Sequence, residues 1–362
     1  MASHKKILIK FVPIIVIGIA LIFISLFCSC INNNNQNNKS LFDVEFHRGG
    51  RDARPENTLY AYTYAIEQGA TTIEGDMQMT KDGVIVMSHN PMLNSDITKD
   101  SNGNYVQKNA IDIRTSNYDE INKYNVGEMK KDTEYYQLHG KTQKTTEAKI
   151  PKLEELLQLV NDSGNKNIML NLEIKSYPDP ATGKYHENNV NYEKFLNEFN
   201  RIIKDYDFED RMILQSFDWK PLVMMKEINK NVLTSALYSE DQDEEQGIGT
   251  LWLTVPQASP WLAGKNIHDY NDDAVRVAHE LGIDIISPQW DQIEKWQVDE
   301  AHNWNMKVVS WTVNTNEDME KCFGMGVDGI ISDKGELLWD FIKTKNKPVA
   351  EKFQFESRYH LD

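Results

Sequence analysis

Short apolar runs alternate with longer amphipathic stretches along most of the chain after residue 41. The apolar runs predict strands, which end at His47 and at Glu74 and then cover 168–175, 211–217, 231–237, 283–288, 307–313 and 328–333. Apolar residues at helical spacing predict helices between most of these strands, at 153–160, 191–206, 220–228, 271–282 and 317–326. Eight strands that alternate with helices predict an α/β fold of the TIM (β/α)8 barrel type. An open doubly wound sheet is the alternative, but no glycine-rich phosphate loop follows the first strand.

The chain after Glu74 predicts a hairpin inside this repeat. Too few residues separate Glu74 from the Lys-Asp-Gly turn at 81–83 for a parallel crossover. Asp-Gly accepts the positive φ of a tight turn, so the run after the turn should pair antiparallel with the strand that carries Glu74. In that register His89 lies opposite Gly75. Strand alternation then puts Glu74 and Asp76 on one face, with His89 across from them.

Glu74 and Asp76 form a pair of carboxylates whose charges repel each other unless a cation or a proton lies between them. A divalent metal ion removes that repulsion. Histidine titrates near neutral pH, so His89 beside the pair and His47 at the end of the first strand suit general acid/base chemistry. The pattern therefore indicates metal-assisted acid/base catalysis at the carboxyl ends of the strands.

Ordered motifs cover roughly residues 42 to 342 and resemble one known family. They are HRGG at 47–50, PENT at 55–58, the E-x-D pair, TKDG at 80–83, HNP at 89–91, IPKLEELL at 150–157, NLEIK at 171–175, QSF at 215–217, SWTVN at 310–314 and GVDGIISD at 326–333. Through these motifs the chain resembles the glycerophosphodiester phosphodiesterase family. Many members have Asp where this chain has Asn90, and we expect no consequence for the chemistry.

The resemblance implies metal-dependent hydrolysis of glycerophosphodiesters to an alcohol and sn-glycerol 3-phosphate. It makes His47 and His89 the catalytic pair, and we expect His89 to act as the base and His47 as the acid. Two alternatives remain, a lysophospholipase-D-like phosphodiesterase on the same fold and a non-catalytic surface ligand-binding barrel. Every expected catalytic position is filled, which argues against the non-catalytic alternative.

Glu173 is the third expected metal ligand, beside Glu74 and Asp76. Taken alone, Glu173 and Lys175 also fit a structural ion pair, since strand alternation points both side chains to one face. The resemblance and the other two carboxylates favour the metal role. Three carboxylates suit a hard cation, Ca²⁺ or Mg²⁺, rather than zinc.

Arg48, Lys175 and Trp311 are the expected substrate-binding residues. The planar fork of Arg48 matches phosphate oxygens, and an ion pair with a barrel carboxylate is its alternative role. Trp311 stands at the end of a predicted strand, where it packs either against the glycerol carbons or against the core. Glu56 is a lesser candidate. The resemblance places it beside the metal site, whereas its sequence context fits an acid in the first turn of the next helix.

The chain divides into an amino-terminal segment, a linker, one large phosphodiesterase domain and a tail, with bounds 1–30, 31–40, 41–345 and 346–362. The first segment carries lysines followed by a long uncharged run, as in a signal peptide or a membrane anchor. A small residue before Cys30 resembles a bacterial lipoprotein processing site, and an uncleaved anchor and plain secretion are the alternatives. We therefore expect the domain outside the cytoplasm, attached to the membrane only through this segment and its Asn-rich linker.

Two long polar insertions, 92–149 and 239–270, interrupt the repeat and should lie over the active-site face. The first shows weak helix signals near 113–124 and no strongly apolar face that would enter a bilayer. As a roof it would exclude diacyl phospholipids. The second carries an acidic run, expected as a solvated loop, together with Trp252 and Trp261, expected either in the loop core or in a wall of the cleft.

The charge of the chain argues against one class of partner. A formal net charge of −16 disfavours nucleic-acid binding, so the expected partner is a small-molecule substrate. Because this acidity also repels an anionic substrate, Arg, Lys and metal must reverse the field inside the site. Cys322 has no partner cysteine within the domain, so we expect it to be a buried apolar side chain.

Overall fold

The computed structural model, which describes residues 41–176, 191–240, 249–352 and 354–361, contains eight parallel strands that close into a barrel. The parallel strands are β1 (Asp43–Phe46), β2 (Thr72–Met79), β4 (Met169–Ile174), β5 (Met212–Ser216), β6 (Leu233–Tyr238), β7 (Ile285–Pro288), β8 (Lys307–Ser310) and β9 (Gly329–Ser332), and a short arm is β3 (Ile85–Met87). They run in the order β1-β9-β8-β7-β6-β5-β4-β2, and β1 pairs with β2 to complete the ring. The predicted TIM barrel is confirmed, and the open doubly wound alternative is wrong.

Helices follow most of the barrel strands and cover the outside of the barrel. They are α1 (Leu59–Glu67), α4 (Leu153–Ser163), α5 (Tyr192–Asp205), α6 (Trp219–Ile228), α7 (Ala274–Glu280), α8 (Lys295–Asn303), α9 (Asn316–Met325) and α10 (Gly335–Thr344), while α2 (Tyr118–Ile121) and α3 (Glu134–His139) lie in the first insertion. In α4, buried Leu153, Leu156, Leu157 and Val160 recur at the helical spacing and form the face that packs on the core.

β2 carries the E-x-D pair in its interior and changes partner along its length. Its first part pairs in parallel with β4, and its last residues pair antiparallel with β3. Met77 lies opposite Met87, which is the predicted register, and the Ser88 N–H donates to the Asp76 carbonyl at 2.9 Å. The hairpin prediction is confirmed. The strand continues past Glu74, however, where the apolar run alone predicts its end.

The barrel interior near the site contains both apolar and polar side chains. Ile213, Ile285, Val309 and Ile331 form a buried aliphatic cluster. Asn171, which pairs with Ile213 in the sheet, donates from its amide to Glu45 at 2.9 Å and to Gln215 at 2.8 Å. Burial raises the pKa of Glu45 well above its usual range. The floor under the site is therefore packed and hydrogen-bonded rather than open.

The first insertion encloses a small apolar core of its own. Its members, with residues of the hairpin, are Val86, Leu93, Ile113, Tyr118, Ile121, Val126 and Ile150. The weak helix signals near 113–124 correspond to a 3-10 turn at Ile113–Thr115 and to α2. The insertion is thus polar at its surface and held together by burial, which the polar composition alone does not predict.

In the second insertion, Trp252 and Trp261 are buried. The acidic run of this insertion falls mostly in 241–248, outside the described residues, as do the amino-terminal segment and linker at 1–40. In the part of the chain that the structure describes, no helix is long and apolar enough to cross a bilayer. Cys322 is buried, as predicted.

The carboxy-terminal tail packs against the barrel helices instead of extending into solvent. Val349, Phe355 and Tyr359 pack on the main core, and the Trp339 indole donates to the Ala350 carbonyl at 2.8 Å.

Candidate active site

His47 lies at the carboxyl end of β1, between two acidic residues. Its Nδ1 is 2.6 Å from Oδ1 of Asp333, which follows β9, and its Nε2 is 3.8 Å from Oε2 of Glu74 in β2. Both contacts follow from barrel closure, because β1 lies between β9 and β2. With Nδ1 occupied by the Asp333 carboxylate, Nε2 is the nitrogen that remains for chemistry.

Asp333 is held as a charged carboxylate by several donors. Burial alone would raise its pKa, but His47 and Arg51 outweigh burial and hold that pKa well below its usual range. Arg51 Nη2 lies 3.1 Å from Asp333 Oδ2, and the Asn314 amide donates to the same oxygen at 2.8 Å. Burial lowers the pKa of His47 to about 4, and the Asp333 carboxylate opposes that shift by favouring the imidazolium form.

His89 follows the β3 arm and faces the same cavity as His47. Its Nδ1 is 2.6 Å from Oδ1 of Asn90, a neutral partner. Burial lowers the pKa of His89 well below its usual range, and the charges of Arg48 and Lys175 lower it further. The two imidazoles therefore have different surroundings, since His47 has a carboxylate behind it and His89 has an amide.

Glu74, Asp76 and Glu173 form a buried carboxylate cluster on two adjacent strands. Pairing of β2 with β4 puts Asp76 directly beside Glu173, and Glu74 lies two residues earlier on the same face. One ligand oxygen from each residue lies within 4.8 Å of the other two. Burial, and then Asp76, raise the pKa of Glu74 well above its usual range. Burial also raises the pKa of Glu173 to about 7, against the effect of Lys175.

Lys175 and Arg48 bring positive charge into this cluster. Lys175 Nζ lies 2.7 Å from Glu173 Oε2 and 3.1 Å from Asp76 Oδ1. Arg48 Nε lies 3.3 Å from Asp76 Oδ2, and its Nη1 lies 3.1 Å from Glu56 Oε1. Burial alone would raise the pKa of Asp76, but Lys175 and other nearby cations hold it well below its usual range.

The loop after β1 is shaped so that its backbone also serves the cluster. The Arg48 N–H donates to Glu74 Oε2 at 2.7 Å, and Arg48 adopts φ +51° to make this contact. Gly49 follows at φ +80°, where a Cβ atom would lie 2.8 Å from the Cβ of Ala61, so only glycine fits against α1. Asn57, at φ +53°, donates from its amide to Asp76 Oδ2 at 2.9 Å.

These groups meet in a cavity of about 190 Å³ at the carboxyl ends of the strands. Its lining combines the ionisable residues with an apolar side, and consists of His47, Arg48, Arg51, Glu74, His89, Glu173, Lys175, Gln215, Phe217, Leu237, Trp311, Thr312 and Ile331. The rings of Phe217 and Trp311 meet edge to face at 5.3 Å between centroids. The Trp311 indole donates to the Ser287 carbonyl at 2.9 Å, which fixes the ring at the cavity wall.

The fold and this arrangement of residues can be compared with known proteins. The model of the glycerophosphoryl diester phosphodiesterase family matches residues 47–337. The chain belongs to this family. The resemblance inferred from the motifs is confirmed.

Relatives in the glycerophosphoryl diester phosphodiesterase family match over most of their own length. A glycerophosphodiester phosphodiesterase of Caldanaerobacter subterraneus subsp. tengcongensis is 29% identical over 301 residues, which cover 82% of this chain and 96% of that protein. A solved structure from Silicibacter pomeroyi, assigned to the same family, has a TM-score of 0.72 at 26% identity and covers 86% of this chain and 96% of its own. An Oleispira antarctica phosphodiesterase, solved in complex with the product sn-glycerol 3-phosphate, has a TM-score of 0.58 at 19% identity, with coverage of 84% and 97%, and supports the shared fold.

The structure brings the predicted site residues of this family member together around one cavity. His47, His89, Arg48, Lys175, Trp311, Glu74 and Glu173 line it directly, while Asp76 and Glu56 lie behind them against Arg48. Glu56 is not an acid in the first turn of a helix, because Thr58 caps α1, which begins at Leu59. Arg48 does make the ion pair with a barrel carboxylate that was its alternative role, and it lines the cavity as well.

Several residues of the site are not among the sequence-based candidates. Asp333 is the last residue of the GVDGIISD motif, to which no role was assigned, and it holds His47. Asn57, which belongs to the PENT motif, orients Asp76 from a left-handed backbone conformation that Asn accepts more readily than most residues. Arg51, directly after the HRGG motif, and Phe217, in the QSF motif, also line the cavity, although the sequence analysis assigned neither a role.

Proposed function

We propose that this chain is a divalent-metal-dependent phosphodiesterase that hydrolyses glycerophosphodiesters to an alcohol and sn-glycerol 3-phosphate. The observation that carries the proposal is the meeting of three buried carboxylates, two imidazoles and two cations in one 190 Å³ cavity. Family membership and the activity named for its relatives support the reaction class. The product complex of the Oleispira antarctica phosphodiesterase supports the identity of the product.

Glu74, Asp76 and Glu173 are the residues that would hold the divalent ion, Ca²⁺ or Mg²⁺. The charges of the site fit such an ion, because the carboxylates outnumber the permanently charged cations by two. The carboxylates are Glu56, Glu74, Asp76, Glu173 and Asp333, and the cations are Arg48, Arg51 and Lys175. When bound, a divalent ion neutralises charge on a phosphoryl group and acts as a Lewis acid.

The remaining groups of the cavity divide between phosphate and glycerol. Arg48 and Lys175 are both buried, and they bring fixed positive charge to the place where phosphoryl oxygens would bind. The apolar wall of Phe217, Leu237 and Trp311 is suited to the carbon skeleton of glycerol. The two ends of a small diester therefore have distinct places in the cavity.

We infer that His89 takes a proton from the attacking water and that His47 delivers one to the departing alkoxide. The Asp333 carboxylate behind His47 stabilises an imidazolium, which is the form that an acid must take. The neutral amide of Asn90 behind His89, together with Arg48 and Lys175, favours a neutral ring, which is the form that a base must take.

A product assay with glycerophosphocholine tests the proposed reaction. Water and this diester should yield choline and sn-glycerol 3-phosphate, and the reaction should stop in EDTA and in His47→Ala. Faster release of choline from lysophosphatidylcholine, with lysophosphatidic acid as the second product, would establish the lysophospholipase-D-like alternative. Tight binding of glycerophosphodiesters with no turnover under any divalent ion would establish a non-catalytic barrel.

A diester with a p-nitrophenyl leaving group tests the two histidine roles. This leaving group needs no proton, so loss of the acid should matter little while loss of the base should still abolish turnover. We expect His47→Ala to recover at least about 100-fold in relative activity on this substrate, within the range that general acid catalysis contributes. We expect His89→Ala to recover none. Recovery by His89→Ala alone would reverse the assignment.

We also propose that residues 1–30 attach the domain to a membrane outside the cytoplasm. The lysines followed by an uncharged run, and the small residue before Cys30, support this location. Mass spectrometry of the protein from membranes distinguishes the outcomes: a lipid-modified Cys30 at a new amino terminus, an intact segment 1–30, or a cleaved and soluble protein. Recovery of the intact chain from the cytoplasm would contradict the proposal.

A further inference from the structure

One helix of the first insertion, α3, lies against the loop that follows β1 and carries Arg48. The Tyr135 hydroxyl on α3 donates to Oε2 of Glu56 at 3.0 Å. Just after the helix, Gln143 Nε2 donates to the Arg51 carbonyl at 2.5 Å, and the Lys144 N–H donates to the Ala53 carbonyl at 3.0 Å. The insertion therefore fastens the catalytic loop from the outside, in addition to lying on the active-site face as predicted.

Glu56 connects α3 to Arg48, the residue expected to bind phosphate. Its Oε1 accepts a hydrogen bond from Arg48 Nη1 at 3.1 Å, and its Oε2 accepts one from Tyr135. Oε2 also lies 3.8 Å from Arg51 Nη1, a second cation that competes for the carboxylate. Glu56 is buried, with 7% of its surface exposed, so its rotation is set by these few partners. The hydrogen bond from Tyr135 thus helps to hold the Glu56 carboxylate in the orientation in which it accepts from Arg48.

We propose that Tyr135 is a positioning residue for phosphate binding, which acts through Glu56 on the guanidinium of Arg48. The proposal rests on the proposed function, in which Arg48 contacts the phosphoryl group. Tyr135 donates to neither histidine nor any of the three clustered carboxylates, and its hydrogen-bond partners among the described residues are Glu56 and Gln143. Its loss should therefore weaken the binding of phosphate more than it slows proton transfer.

Tyr136, the next residue of α3, offers a matched control. It is a half-buried tyrosine on the same helix, and its hydroxyl has no hydrogen bond to any described residue. Replacing either tyrosine by Phe removes one oxygen and leaves the ring in place. A difference between the two variants therefore reports the hydrogen bond to Glu56 rather than the packing of the helix.

The experiment compares Y135F and Y136F in kinetics and in equilibrium binding, with the divalent ion present. We expect Y135F to raise three constants about tenfold: KM for glycerophosphocholine, Kd for glycerol 3-phosphate and Kd for inorganic phosphate. The reason is that the substitution removes a hydrogen bond to a charged group. We expect kcat to change by less than about threefold, because an interaction made equally in ground and transition states affects KM alone. Y136F should match the wild type in all three quantities.

Glu56→Gln provides the second arm, since it removes the charge that holds Arg48. We expect it to raise the same constants at least as much as Y135F does. In the double variant, Y135F should add less than about twofold, because the two residues act in one chain of contacts. Should Y135F not fold, Glu56→Gln alone still tests whether Glu56 sets phosphate affinity.

Two results would overturn the proposal. One is a Y135F protein whose KM and Kd match those of Y136F, and the other is an undiminished effect of Y135F in the Glu56→Gln background. Failure of the proposed function looks different. In that case the wild type hydrolyses no glycerophosphodiester, and the role of Tyr135 is then decided by the Kd values for phosphate and glycerol 3-phosphate.

Discussion

At the scale of single residues, the clustered carboxylates link the cation site to the stability of the domain. Burial raises the pKa of Glu173 to about 7, and burial with Asp76 raises that of Glu74 well above its usual range. A glutamate in the unfolded chain ionises at about pH 4.3. Because the folded pKa is the higher one, the native state binds extra protons, and their contribution to stability is lost as pH rises from about 4 to 7. Asp76 and Asp333 have depressed pKa values in the folded state, so the stability that they contribute is lost only as pH falls below about 4.

We therefore expect the Tm of the metal-free domain to decrease as pH rises from about 5 to 7.5, because these carboxyl groups lose their protons. Ca²⁺ or Mg²⁺ should raise Tm more at pH 7.5 than at pH 5, because the ion competes with protons for the same oxygens. Thermal unfolding followed by circular dichroism, in EDTA and in excess ion, measures both effects. In Glu173→Gln the dependence on pH and on the ion should shrink. A cation effect that is equal at both pH values would contradict the prediction.

The sequence predicts a residue's place in the site when its contacts are local or follow the alternation of side chains along a strand. Glu74 and Asp76 share a face because strand alternation has a period of two, and His89 reaches them through a short hairpin. Asp333 meets His47 only because β9 returns to pair with β1, 286 residues later in the chain. No spacing in the sequence encodes that contact, so its role follows only from the closed barrel.

At the scale of elements, the first insertion is a support for the catalytic loop as well as a cover. Its small apolar core includes Val86 of β3, so the hairpin that presents His89 is packed on one side by the insertion. Its α3 region makes the hydrogen bonds to the loop that carries Arg48. Both histidine-bearing segments thus depend on residues that lie outside the βα repeat.

Replacing residues 95–145 with a short Gly-Ser linker tests this dependence. The change uncovers Val86 and Ile150 and removes the bond to Glu56, so we expect a lower Tm and a loss of at least about tenfold in kcat/KM on glycerophosphocholine. A lid alone would give another result. If the shortened protein keeps full activity on small diesters and gains activity on larger ones, the insertion is only a selectivity lid.

Strong periodicity explains which helices the sequence predicts and which it does not. The predicted helices at 153–160 and 191–206 match α4 and α5 closely, because each has a continuous buried face. α8 was not predicted, since Val298 and Ala301 are its only two buried side chains. Most of the remaining residues of that helix are polar or charged, so its amphipathic pattern is weak.

At the scale of the whole molecule, the number and order of the strands made the barrel predictable. Eight strands that alternate with helices favour a closed barrel, and the barrel buries both faces of its parallel strands. What the pattern did not predict is the packing of the tail, where Val349 and Tyr359 cover outer helices. Such a tail has no period of its own, and its position depends on which outer surface remains free.

The family match covers residues 47–337, which contain all of the predicted site residues, so the domain should work without the amino-terminal segment. We expect a protein that begins at Leu41 to be soluble, folded and fully active on glycerophosphodiesters. We expect the same protein to be nearly inert on diacyl phospholipid vesicles, because the first insertion should keep two acyl chains away from the active-site face. The rates of product release from glycerophosphodiesters and from diacyl vesicles test both expectations. Rapid cleavage of diacyl vesicles would show that the insertion does not exclude acyl chains.

The central claim is that the buried carboxylates hold a divalent ion with which this site hydrolyses glycerophosphodiesters. The most direct measurement is the release of sn-glycerol 3-phosphate from glycerophosphocholine by EDTA-treated protein, as Ca²⁺ or Mg²⁺ is added back. We expect no turnover without the ion, full recovery in the wild type, and in Glu173→Gln a requirement for at least about 100-fold more ion, as expected when one charged ligand of three is lost. Full turnover in EDTA, or a Glu173→Gln protein with the ion dependence of the wild type, would contradict the claim.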